Sequence, residues 1–194
     1  MINKFSLIFM LIFLVGLNAQ KRYGEFSLLR VKALYNVNEN RNEFHEYWKV
    51  NESFGVALEF PFYLGILETG LSYSTFLPLS INQPEFSSIN YYLLWGERFE
   101  VTNWMHIKID GGPGLFEMDF EDEDLNTDRN LLKERELSLT ANISLSLVFS
   151  DYISLETGYT FLRILTAKPI ELGYISTGIV VTLKSPEWLR DILK

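Results

Sequence analysis

The chain has 194 residues, no cysteine and a formal net charge of -8. This length predicts a single domain, and the lack of cysteine excludes disulfide staples, zinc-thiolate sites and cysteine nucleophiles. The acidic balance argues against nucleic acid as a partner, because nucleic-acid binding needs a basic face.

Residues 1–19 have the pattern of a secretory signal peptide. Lys4 supplies a short basic start, residues 5–17 form an almost unbroken apolar run, and Ala19 is the small residue at the expected cleavage site. The run is short for a transmembrane helix, so we expect export and cleavage, with an uncleaved N-terminal anchor as the alternative.

The rest of the chain alternates apolar and polar residues with period two, which predicts strands. The alternation is cleanest in residues 137–147, where leucine, alanine and isoleucine alternate with serine, threonine and asparagine. The predicted strands are 25–35, 53–62, 66–76, 88–95, 103–115, 137–147, 152–162 and 173–184. Most are about ten residues long, the length that a tilted strand needs to cross a bilayer.

The connections between these strands alternate in length. They are long at 36–52, 77–87 and 116–136, short at 62–65, 96–102 and 149–151, and intermediate at 163–169. Long outer loops and short periplasmic turns are typical of outer-membrane barrels.

Five glycines lie on the polar face of their predicted strands: Gly55, Gly70, Gly112, Gly158 and Gly178. The interior of a small, tightly curved barrel is crowded, and glycine on that face relieves the crowding.

The predicted fold class is all-β, an eight-stranded antiparallel up-and-down transmembrane β-barrel over residues 20–184, with a short C-terminal helix. Residues 185–194 form a periplasmic amphipathic tail in this interpretation. Ser185 suits a helix N-cap and Pro186 the first helical position, and Trp188 lies on the apolar side. We expect the tail to cover the base of the barrel or to lie in the inner membrane interface.

Charged residues of both signs fall on the predicted inner face of the barrel. They are Arg30, Lys32, Glu59, Glu68, His106, Lys108, Asp110 and Glu156. Eight strands leave an interior just wide enough for side chains, and buried charges persist only when they are paired. The pattern predicts an ionic plug without an open channel. A narrow ion or proton path through the same residues is the alternative.

Two further patterns contain residue types that can carry chemistry. His106 and Asp110 share a face and could form half of a hydrolase triad, but no Gly-x-Ser-x-Gly motif supplies a nucleophile, so no catalytic residue and no cofactor is predicted. A candidate divalent-cation site has oxygen ligands at the spacing of a calcium loop, namely Asp122, Asp124, Asn126 and Asp128. The alternative is that these residues are a solvent-exposed run of charges. The calcium-loop signature fails at Thr127 and Lys133, so no metal is assigned.

Glycines at positions 111, 112 and 114 surround Pro113 in the fifth predicted strand. We interpret this run as a bulge or flare where the strand leads into the long acidic loop.

The signal peptide, eight alternating segments and loop order resemble the small outer-membrane β-barrel superfamily, which includes outer-membrane protein X and the membrane domain of outer-membrane protein A. The resemblance implies a bacterial outer-membrane location, with lipid and the barrel assembly machinery as partners. It also implies a structural, adhesive or host-facing role, and for this chain we expect no enzymatic activity. An extracellular or periplasmic protein partner is left open.

Some members of this superfamily are lipid A acyl hydrolases that use a His-x-Ser motif. Here Lys108 stands where that serine would follow His106. Three alternatives remain open: an assembly or secretion accessory acting through the Trp188 tail, an acyl hydrolase with His106 as base, and a soluble lipocalin-like binder of an apolar ligand.

Overall fold

The computed structural model describes residues 26–63, 65–80, 83–121 and 133–187. These residues form eight strands, each antiparallel to its neighbours, and β1 pairs with β8 to close a barrel. The strands are β1 (Leu28–Asn38), β2 (Trp48–Pro61), β3 (Ile66–Pro78), β4 (Glu85–Thr102), β5 (Met105–Glu121), β6 (Lys133–Val148), β7 (Ile153–Ile164) and β8 (Ile170–Lys184). The predicted eight-stranded antiparallel barrel is therefore confirmed.

Helical structure in the described residues is slight. One 3₁₀ turn, Glu43–Glu46, lies in the first loop between β1 and β2. None of the described residues belongs to a helix long and apolar enough to cross a membrane.

The two faces of the barrel reverse the usual pattern of a soluble protein. Along β6, Ser138, Ser144 and Ser146 are buried, whereas Leu137 and Ile143 are 64% and 51% exposed. Successive side chains of a strand point to opposite faces, so the period-two pattern sends serine and charge inward and leucine and isoleucine outward.

The predicted short connection at 96–102 is wrong. β4 continues to Thr102, and the turn to β5 consists of residues 103 and 104. Gly96 was placed at the start of that connection, but it lies within β4, where β4 and β5 approach closely. A Cβ on Gly96 would sit 2.1 Å from the carbonyl oxygen of Ile109 on β5.

The outer connection between β5 and β6 is also shorter than expected. β5 extends to Glu121 and β6 begins at Lys133. Pro113 and its flanking glycines lie in the middle of β5 and pair with β6 in unbroken register, so the expected bulge or flare is absent there. Glycine and proline favour turns, but here the continuous pairing with β6 keeps residues 111–114 in an extended strand.

Both predicted terminal segments fall largely outside the described residues. The signal peptide at 1–19 does so entirely, and of the C-terminal tail only Ser185, Pro186 and Glu187 are described. The backbone N–H of Ser185 donates to the carbonyl of Ser27 at 3.1 Å, which holds the end of β8 beside the start of β1.

A methyl group at Gly178 should destabilise the barrel. A Cβ there would lie 2.0 Å from the carbonyl oxygen of Ala33, whereas a Cβ on Gly55 would meet nothing closer than 3.6 Å. We expect Gly178→Ala to lower the free energy of unfolding by about 1–3 kcal/mol, the usual cost of overpacking. Gly55→Ala should leave it unchanged or raise it by up to about 1 kcal/mol. Urea titrations of both variants check this, and equal losses would contradict it.

Candidate functional site

The interior near the tight-turn end of the barrel holds a network of ion pairs centred on Glu59. This carboxylate is almost fully buried and lies 3.2 Å from Arg30, 2.8 Å from Lys32 and 2.5 Å from Arg98. Two strands supply these cations, because Arg30 and Lys32 lie on β1 and Arg98 lies on β4. Glu59, which lies on β2, therefore links its own strand to β1 and β4.

Lys32 is the second centre of this network. Its Nζ lies 2.8 Å from Glu59, 2.8 Å from Glu68 and 2.7 Å from Glu156. The ammonium group is inaccessible to solvent and is surrounded by carboxylates from β2, β3 and β7. The ammonium donates hydrogen bonds to Glu68 and Glu156, whereas its contact with Glu59 is an ion pair only.

Lys108 extends the network to β5. Its Nζ lies 2.5 Å from Glu68 and also contacts Asp110, which accepts a hydrogen bond from Asn142 at 3.0 Å. Arg30, Lys32, Arg98 and Lys108 thus face four carboxylates. The two signs balance, as a buried charge cluster requires.

The structure brings together seven of the eight residues predicted for this network. The exception is His106, which is half-buried near the same end of the barrel. Among the described residues, no hydrogen bond or ion pair links His106 to Asp110, so these two groups do not form a catalytic dyad.

Arg98 was missed by the sequence analysis. It shares its face with the buried Leu94, and the alternation of β4 continues through it. The predicted strand ended at Trp95, so the residues beyond were assigned to a turn. Continuing the alternation past Gly96 would have placed Arg98 inside.

The interior near the long-loop end holds a second, apolar layer that was not expected. We call it the aromatic layer: Phe76, Phe86, Phe116, Met118, Leu162, Ile164, Leu172 and Tyr174. Phe76 and Phe86 stack with their ring centroids 4.3 Å apart. Phe86 and Phe116 had been assigned to loops, so their inward positions on β4 and β5 were overlooked.

The first loop folds over the aromatic layer. Phe44, in the 3₁₀ turn, stacks on Trp48 at 5.4 Å and meets Phe76 edge to face at 5.6 Å. The side chain of Asn42 caps this turn by accepting from the N–H of Phe44, and it also donates to the carbonyl of Glu171 on β8. Phe44 is therefore held across the outer mouth.

An exposed ion pair joins this first loop to the last outer loop. Lys168 contacts Glu43, and its hydrogen bond holds the pKa of the Glu43 carboxyl below its usual value. His45 belongs to the same loop. Partial burial, with a smaller contribution from Arg41, lowers the pKa of its imidazole, so the neutral form is favoured.

A cavity of about 50 Å³ lies between the ionic network and the aromatic layer. Its lining combines polar side chains such as Asn90, Asn142 and Ser176 with apolar ones such as Leu34 and Leu94. This volume is enough for only a few water molecules. The ionic network lies on one side of this cavity and the aromatic layer on the other.

The described residues offer little for metal chemistry. No group of three or more His, Asp or Glu side chains among them has a metal-binding arrangement. The candidate cation ligands Asp122, Asp124, Asn126 and Asp128 lie outside the described residues, so that site stays a prediction.

Comparison with known proteins gives the fold. No protein-family model and no curated protein sequence matches the chain. Neisserial surface protein A aligns with a TM-score of 0.57 at 10% identity, over 82% of this chain and 99% of that one. Ail, the attachment invasion locus protein of Yersinia pestis, aligns with a TM-score of 0.52 at 12% identity, over 84% and 100%. Outer membrane protein OprG from Pseudomonas aeruginosa aligns with a TM-score of 0.51 at 8% identity, over 82% and 97%. The chain has the fold of small bacterial outer-membrane β-barrels.

Proposed function

We propose that this chain spans the bacterial outer membrane as a closed, non-enzymatic barrel that presents its outer loops to surface partners. The observation that carries the proposal is the reversal of the two faces. Lys32, Glu59 and Lys108 are almost fully buried inside, while large apolar side chains cover the outside of every strand. An apolar surface of this extent needs lipid around it, because soluble monomers rarely expose large apolar patches.

Aromatic residues at both ends of the outward surface support this membrane placement. Tyr35, Phe54 and Tyr73 are exposed towards the long-loop end, and Trp95 and Tyr152 towards the tight-turn end. Aromatic girdles of this kind mark the two interfaces of a bilayer. The long loops then face outside and the tight turns face the periplasm. Export of the chain follows if residues 1–19 act as a signal peptide.

The closed interior favours an interaction role over transport. The ionic network, the aromatic layer and Phe44 occupy the lumen in series. What remains available to partners is the outer surface, where loops on a rigid scaffold commonly carry function. Outer-membrane lipid and the barrel assembly machinery are the expected partners. An extracellular or periplasmic protein is the third expected partner. The tail at 185–194 would lie on the periplasmic side.

Planar-bilayer recordings of the purified chain test the closed lumen. We expect no conductance steps above those of protein-free membranes, because side chains fill an eight-stranded barrel. The boiled, unfolded protein serves as the control for contaminants. Reproducible single-channel steps from the folded protein alone would contradict the proposal and favour the ion path through Lys32 and Glu156.

A further inference from the structure

The first loop crosses the outer mouth of the barrel between two points of attachment. Before the crossing, the backbone N–H of Glu39 donates to the carbonyl of Gly173 on β8 at 2.9 Å. After the crossing, the carbonyl of Tyr47 accepts from the N–H of Leu79, directly after β3, at 2.8 Å. We call residues 41–46, which lie between these two attachments, the strap.

Side chains hold the strap over the aromatic layer. Phe44 meets Phe76 edge to face at 5.6 Å, and the side chain of Asn42 donates to the carbonyl of Glu171 on β8. In the part of the chain that the structure describes, the backbone hydrogen bonds of the strap stay within the loop, as between the N–H of His45 and the carbonyl of Asn42 at 2.9 Å. A small number of side-chain contacts therefore decides whether the aromatic layer is covered.

His45 joins the strap to β1 through both of its ring nitrogens. Its Nε2 lies 2.8 Å from Oδ1 of Asn38, the last residue of β1. The Nδ2 of Asn38 donates to Asn40 and to the carbonyl of Gly173, both at 3.0 Å, so the amide oxygen faces His45. An amide oxygen only accepts, so Nε2 carries the proton. In the neutral ring Nδ1 is then an acceptor, and it accepts the backbone N–H of Asn42 at 3.3 Å.

Protonation of His45 removes that acceptor. A hydrogen on Nδ1 would face the backbone N–H of Asn42, and two donors cannot bond to each other. The side-chain oxygen of Asn42 lies 3.0 Å from Nδ1, but it already accepts the N–H of Phe44 that caps the turn. The new charge would also be partly buried and close to Arg41. The closed strap therefore fits the neutral ring better than the imidazolium.

The other charges around the strap leave this preference in place. They belong to Glu39, Arg41, Glu43, Glu46, Arg163, Lys168 and Glu171. Burial is the larger cause and Arg41 the smaller cause of the lowered pKa of His45. A state that lowers the pKa of a histidine has its full stability above the ordinary value of about 6.5 and loses stability as the pH falls below that value. Closure of the strap should therefore weaken on mild acidification.

We propose that the strap is a pH-sensitive lid, closed over the aromatic layer while His45 is neutral and released when His45 is protonated. Release would uncover the rings of Phe44 and Phe76 at the outer mouth. The ionic network lies on the far side of the cavity and takes no part in the change. The lid goes beyond the proposed interaction role and does not depend on it, because closure rests on contacts within the chain.

Acrylamide quenching of Trp48 fluorescence tests the lid in detergent micelles, where the result does not depend on an outer-membrane location. Trp48 stacks on Phe44 with ring centroids 5.4 Å apart, so release of the strap exposes its indole. The other three tryptophans, Trp95, Trp104 and Trp188, are replaced with phenylalanine. We expect the quenching constant to rise about twofold between about pH 7.5 and about pH 5, where histidine gains its charge and most glutamates remain ionised.

Substitutions at the two histidines define the cause. His45→Gln keeps a donor and an acceptor at the third position of the turn, as glutamine does in a capping box, but it cannot gain a proton. Its quenching should stay low at both pH values. His45→Lys is charged throughout and has no acceptor, so its quenching should be high at both. His106 is the only other histidine of the chain, and His106→Gln should keep the wild-type transition.

Four results would overturn the proposal. Constant quenching across this pH range would show that the strap does not open. The same rise in His45→Gln would assign the change to another group, and loss of the rise in His106→Gln would assign it to the interior of the barrel. Loss of β-sheet circular dichroism over the same range would show that the whole barrel unfolds and that the strap does not move alone.

Discussion

Replacing Lys32 with methionine is expected to lower the free energy of unfolding by about 3–5 kcal/mol, the usual cost of removing one partner from a buried ionic cluster. Lys32 is 1% exposed, and its ammonium group lies within 2.8 Å of Glu59, Glu68 and Glu156. Methionine fills a similar volume but leaves these carboxylates close together without their shared cation. Urea titration in lipid vesicles, followed by tryptophan fluorescence, measures the loss.

Lys133→Met is the matched control for this experiment. Lys133 also pairs with two carboxylates, at 3.0 Å from Asp119 and 3.9 Å from Glu117, but its side chain is well exposed. Exposed pairs contribute about 0–1 kcal/mol. The account therefore requires the Lys32 variant to lose several times more stability than the Lys133 variant. Similar losses would mean that the lumen network contributes no more than an exposed pair.

Placing arginine at Ile143 is the second change with a large expected effect. Ile143 lies in the middle of β6 and points outward. In a membrane barrel, an arginine facing lipid at the bilayer midplane costs about 2–4 kcal/mol, and the cost falls to about 0–1 kcal/mol near the interface. We expect Ile143→Arg to lose stability in that larger range when the variant is unfolded from lipid vesicles.

Leu137→Arg separates the effect of lipid from the effect of a new charge. Leu137 is on the same strand and the same face, two residues from Arg135, at the outer end of the apolar surface. Its replacement should cost at most about 1 kcal/mol in a membrane. In a water-soluble barrel both positions would be ordinary surface sites, and both changes would fall within about 0.5 kcal/mol. A small, equal effect at the two positions therefore contradicts the membrane account.

Much of the fold could be predicted from the sequence because one local rule governs it. The side-chain period of two assigned the face of each strand correctly, and β6 was predicted at 137–147 against Lys133–Val148 in the structure. The strand ends were harder. Gly96 and the glycines around Pro113 are turn signals by residue type, but here they lie within strands whose neighbours fix the register.

The sequence indicated which side chains face the interior of the barrel, but it did not indicate their height along the barrel axis. Alternation placed Lys32 and Glu156 inside the barrel, but it could not show that the two side chains are in contact. They lie on β1 and β7, which do not pair with each other, and they are 124 positions apart in the chain. Depth depends on how neighbouring strands are staggered, and one sequence does not specify that stagger. For the same reason the aromatic layer was missed, although each of its members follows the alternation of its own strand.

Membrane fractionation combined with heat-modifiability on a gel tests the central claim most directly. Folded membrane barrels resist the gel detergent until boiled and then change mobility. The account predicts a band in the outer-membrane fraction that shifts on boiling, because the apolar side chains outside and the paired charges inside require lipid around a closed barrel. A protein found free in the periplasm or medium, with the same mobility before and after boiling, would contradict it.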